Sequence, residues 1–113
     1  MSETICMKLY YFATARQVIE DKTEHFVKST SELERIKGVK DTRLVVLSDQ
    51  ARRLLAELQV LDNHMKVLLK TPLTIQVVMD ELVNLRKMEV KYYEYCSQYN
   101  DILQSMLTQI NTA

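Results

Sequence analysis

Glycine and proline are almost missing from this chain, with one of each in 113 residues. All-β folds and glycine-rich phosphate loops need many tight turns or backbone positions that favour glycine, so neither is expected. Tryptophan is absent, and the two cysteines, Cys6 and Cys96, stand at opposite ends of the sequence. They fit no metal-ligand spacing, and they read as two reduced, small hydrophobes. There are two histidines, His25 and His64, each beside a position that reads as apolar seam. Both read as partly exposed surface side chains. No His-Glu-x-x-His and no Cys-x-x-Cys occurs. The expectation is a protein that is not an enzyme and takes no cofactor and no metal.

Charge of one sign is missing too. Fifteen basic residues meet fifteen acidic ones, for a formal net charge of zero. Attraction to nucleic acid would need a local patch, and nucleic-acid binding is not expected. No apolar run approaches the roughly 20 residues that span a bilayer. The first residues show no basic stretch followed by an apolar one, so no secretory signal is read there. An integral membrane protein is not expected, and the expected compartment is the reducing cytoplasm, or the nucleus. Hydrophobic residues at 47% and charged residues at 27% belong to a folded chain of one domain, 1–113.

What remains is helix-compatible sequence. Leu44, Leu47, Ala51, Leu54, Leu58, Leu61, Met65 and Leu68 alternate steps of three and four without a break. That period predicts a helix over residues 43–70, with Thr42 as its N-cap. Ile75, Val78, Leu82, Leu85, Met88, Tyr92, Cys96, Tyr99, Leu103, Met106 and Ile110 continue the same alternation. They predict a third helix over 73–111, with Pro72 fitting its first turn and Thr71 or Thr74 capping it. The first segment, 3–37, is less regular. Ile5, Leu9, Phe12, Ile19, Phe26, Leu33 and Ile36 share a seam interrupted by Arg16, Thr23 and Thr30. Residues 29–31, Ser-Thr-Ser, are the weakest helical stretch and a candidate kink. Gly38 suits the left-handed turn that ends a helix, with Arg35 and Lys37 in the last turn.

Short links force consecutive helices to lie antiparallel. The expected fold is all-α: an antiparallel up-down-up three-helix bundle with long helices. In outline it resembles a spectrin-type repeat or the N-terminal regulatory bundle of a syntaxin. The resemblance is one of architecture and carries no motif. The long first and third helices should overhang the shorter second one, and Leu103, Met106, Leu107 and Ile110 keep the end of the third apolar.

The function this implies is a non-catalytic protein–protein interaction module, a scaffold or adaptor subunit of a larger cytoplasmic assembly. It would bind a partner helix through an exposed apolar stripe of helix three or helix one. The residues expected to face the partner are Tyr93, Leu103, Leu107 and Ile110. Tyr93 points about 100° away from Tyr92 and cannot share its groove. A homodimeric helical bundle is the second reading, satisfying the same stripe by symmetry. A third uses the basic patch Arg35, Lys37, Lys40, Arg43, Arg52 and Arg53 to hold a membrane surface or an acidic polymer such as a microtubule.

Overall fold

The computed structural model describes residues 2–36 and 41–112, with side chains described up to residue 109. Three helices account for nearly all of them: α1 (Glu3–Arg35), α2 (Thr42–Leu68) and α3 (Ile75–Thr112). There is no strand among the described residues. Each helix packs on both others, and the result is a rod of 63 × 18 × 16 Å.

The ends follow from local chemistry. The Ser2 hydroxyl accepts from the Ile5 N–H at 3.2 Å, and the chain leaves α1 at Ile36 in an extended conformation. Lys37, Gly38 and Lys40 lie outside the described residues. α2 is capped by Asp41 rather than by Thr42, which is already the first residue of the helix. The Asp41 carboxylate accepts from the Arg43 N–H at 2.9 Å and from the Arg43 guanidinium at 2.7 Å. Those bonds favour the charged form and hold the carboxyl below its ordinary range. α3 opens three residues after Pro72. Thr74 accepts from the Val77 N–H at 3.3 Å, so the proline belongs to the link and not to the first turn.

The weak stretch at 29–31 does not break α1, which runs unbroken from Glu3 to Arg35. Thr30 is fully buried, and its hydroxyl lies 3.0 Å from the Val27 carbonyl and 3.2 Å from the Ser48 hydroxyl of α2. Thr23 returns its own hydroxyl to the Ile19 carbonyl at 2.7 Å. Arg16 reaches Glu20 at 2.8 Å and Asp62 of α2 at 3.3 Å. The polar positions in the first seam are therefore satisfied in place, and the helix needs no break to accommodate them.

Cross-helix pairs fix the directions. Arg16–Asp62 and Thr30–Ser48 run α1 against α2. Lys91–Glu57, His64–Glu81 and Arg43–Ser105 run α2 against α3. Tyr11 lies beside Leu82 and Leu85, Lys22 beside Tyr93 and Phe26 beside Tyr99, so α1 runs parallel to α3. The bundle is up-down-up.

The core forms two linked clusters. One gathers Phe12, Ile19, Leu54, Leu58, Leu61, Met65 and Leu85. The other gathers Phe26, Leu47, Ala51 and Ile102. Each fully buried large side chain contributes about 1.5–3 kcal/mol of transfer free energy. The α2 seam is buried from Leu44 to Met65 as its spacing predicts. The seam of α3 differs in three places. Ile75 is exposed, Ile102 is buried in place of the half-buried Leu103, and Glu81 is buried beside Leu82. Ile36, expected on the first seam, is also exposed. The overhang of α3 is short: Met106 packs on the second cluster, and Arg43 reaches Ser105.

Candidate interaction surface

The outer side of α3 carries a second apolar ridge. Met79, Val83, Val90 and Tyr93, with Arg86 between them, step four, three, four and three, and Ile75 precedes them by one turn. All five apolar members are exposed, Val83 by 51% and Tyr93 by 53%. At about 100° per residue this ridge lies roughly 100° around the helix from the face that holds Val78, Leu85 and Tyr92, on the side toward α1. It cannot reach the bundle's own core. The ridge fades toward the C-terminal half, where Ser97, Asn100 and Gln104 occupy the same register.

α1 borders it. Tyr11 lines a shallow crevice with Leu82, Arg86 and Glu89 of α3. Further along, the Lys22 ammonium sits 5.9 Å from the centre of the Tyr93 ring, a cation–π contact at an exposed site. Met7, Tyr11 and Val18, four and seven residues apart, are all exposed on that side of α1. Arg86 is held by Glu89 one turn on.

The residues that sequence reasoning chose are only partly on this surface. Tyr93 is on it. Leu103 is half-buried against the bundle, and Leu107 is 58% exposed but isolated from the ridge. The Ile110 side chain lies outside the described ones. Met79, Val83 and Val90 were missed. Their signal was present: the second four-and-three alternation sits one residue beyond the core seam and is masked by it.

Among the described residues of the basic patch, two are engaged by neighbouring groups. Arg43 is bound to Asp41, and Arg52 to Asp49 at 3.0 Å and to the Ser31 hydroxyl at 2.7 Å. Arg35 and Arg53 are exposed, and Lys37 and Lys40 lie outside the described residues. Among the described residues no group of His, Cys, Asp and Glu could hold a metal ion, and no helix is long and apolar enough to cross a membrane. Cys6 is exposed and Cys96 half-buried, both as free thiols.

A second depression, a groove of about 490 Å³, lies between α2 and α3 over Val60, Leu61 and Met88. His64 lines it and reaches the buried carboxylate of Glu81 at 3.1 Å. The other carboxylate oxygen of Glu81 is buried with no hydrogen-bond partner.

Inside, the tyrosines are tuned by their surroundings. Burial, helped by a hydrogen bond with Cys96, pushes the Tyr92 phenol up to about 12, and burial alone raises Tyr99. The neutral phenol is thus the form the fold favours. Stability from this source is complete below pH 10, the ordinary phenol value, and is lost as pH rises from there through about 12. A spectrophotometric titration should show Tyr92 ionising above the ordinary phenol range, together with alkaline unfolding. Ionisation of Tyr92 near pH 10, with the helical signal intact, would contradict the packing.

Fold and surface together define an all-α three-helix bundle with an apolar seam left over on its outer face. Comparison with family models, with curated proteins and with solved structures finds no match to this chain.

Proposed function

We propose that this chain is a non-catalytic protein–protein interaction module that docks a partner helix along the outer ridge of α3, flanked by Met7, Tyr11 and Val18 of α1. A single observation carries the reading. Five large apolar side chains line one exposed ridge at the spacing helices use to pack on helices. Scattered exposed apolar residues are ordinary on any surface, but an aligned series of them marks a contact. Tyrosine and methionine, which supply area with an adaptable or polar end, suit such a contact. The role is that of a scaffold or adaptor subunit.

The test is capture of binding proteins by the wild-type chain and by a Val83→Glu/Val90→Glu chain. Both positions are exposed, so the folding stability should stay within about 0.5 kcal/mol of wild type. The captured proteins should be lost with the ridge variant and kept with Leu107→Asp. Equal recovery by all three chains would end this reading.

A further inference from the structure

The ridge has its own charge pattern, and that pattern points to one occupant. Asp80 and Lys87 lie seven residues apart, each next to a ridge residue, on the side of α3 that faces away from α1. Neither has an ion-pair partner among the described residues. Asp80 accepts only from the Gln76 side chain at 2.8 Å, and Lys87 lies at the edge of the α2–α3 groove. Arg86, at the middle of the ridge, is already held by Glu89.

We infer that the ridge seats the α3 ridge of a second copy of this chain, running antiparallel about a two-fold axis near residues 84 and 85. The inference rests on the interaction reading above and names its partner. In this register Val83 faces Arg86 of the second copy, and Met79 faces Val90. Ile75 comes beside Tyr93 of the second copy. Asp80 then meets Lys87 of the second copy, and by symmetry Lys87 meets its Asp80, so both unpartnered charges are matched twice.

The neighbouring registers fail on the same charges. A slide of one heptad in one direction sets Lys87 against Lys87 and Asp80 against Glu94. A slide in the other sets Asp80 against Asp80. A parallel pairing brings Glu89 toward Glu94 of the second copy. Like charges opposite one another cost affinity, and this is how helices choose register and direction. Each Arg86 enters the seam with its charge compensated by Glu89, and its aliphatic stem covers the apolar residues beside it. A net charge of zero opposes no approach between two copies.

Light scattering across a dilution series, using the whole chain, should report twice the 13.3 kDa monomer at the concentrated end. Asp80→Lys alone and Lys87→Asp alone should each weaken the dimer by about tenfold or more, and the double swap Asp80→Lys/Lys87→Asp should restore it. A second measurement does not depend on those variants. In a Cys6→Ser background, chains carrying Met79→Cys should form disulfides with chains carrying Val90→Cys, and neither should do so with itself. A monomer at every concentration, a dimer indifferent to both charge changes, no rescue by the double swap, or like-with-like disulfides would each overturn the antiparallel dimer. A monomeric chain that still loses its captured proteins through Val83→Glu/Val90→Glu would leave the interaction reading standing. Loss of both effects would end both.

Discussion

Replacing Leu58 by alanine is expected to cost about 3–5 kcal/mol, because the side chain is wholly buried where all three helices meet. Phe12 and Ile19 come from α1, Leu54 and Leu61 from α2 itself, and Leu85 from α3. Such a site cannot collapse without moving helix backbones, so most of the vacated volume stays as a cavity. Domains of this size hold about 5–15 kcal/mol in all. The variant should melt roughly 12–40 °C lower, at about 4–8 °C per kcal/mol for small domains. Far-UV circular dichroism during heating or urea titration measures this directly. The control is Leu107→Ala, at the exposed end of α3, which should stay within about 0.5 kcal/mol of wild type. If the two substitutions cost the same, the tail of α3 is sealed in a contact as tight as the core, and the packing described above is wrong.

The same contrast shows what the sequence made legible. The α2 seam was readable residue by residue because every position from Leu44 to Met65 at the three-and-four spacing is apolar, and the flanking positions are mostly polar. No competing stripe confuses the period. α3 is harder because it is apolar on two faces. After Tyr99 the pattern can continue by three to Ile102 or by four to Leu103, and both residues are equally oily. The choice is made by Leu47 and Ala51 of α2 and Phe26 of α1, which cover Ile102. Their position is set by tertiary packing and is invisible along the chain. The outer ridge was lost for a related reason. Met79, Val83 and Val90 each adjoin a residue of the core seam or its edge, and adjacency made them look like a broadening of the core stripe.

Capping was legible in type but not in position. Asp41 and Thr42 are both good N-caps, and a one-residue choice between them turns on backbone geometry that composition does not encode. Asp41 prevails with both its backbone bond to Arg43 and its charge pair with the same residue. Pro72 punctuated the chain correctly but sits in the link, because Thr74 supplies the cap that opens α3 two residues later. The Ser-Thr-Ser stretch misleads for a different reason. Serine and threonine weaken an isolated helix by competing for its backbone, yet Thr30 is held by Ser48 across the interface. A neighbour that only the fold brings close removes the penalty.

Glu81 was the residue least foreseeable from the sequence, and it supports the second large prediction. Its side chain is 6% exposed, one oxygen meets His64 at 3.1 Å, and the other has no partner. A half-satisfied carboxylate in a bundle core costs desolvation that one contact to a largely exposed histidine does not repay. Glu81→Met, similar in length and apolar, is therefore expected to stabilise the chain by about 1–2 kcal/mol. His64→Ala should act in the opposite sense, by about 1–2 kcal/mol, because it strips the carboxylate of its remaining partner. In the Glu81→Met background the same His64→Ala change should be nearly silent. The double-mutant cycle then isolates the pair from whatever each residue does alone. Urea midpoints of the four chains supply the numbers. A Glu81→Met chain less stable than wild type would show that the buried carboxylate holds the α2–α3 interface together. In that case the groove beside it, over Val60 and Met88, is built around the Glu81–His64 contact rather than in spite of it.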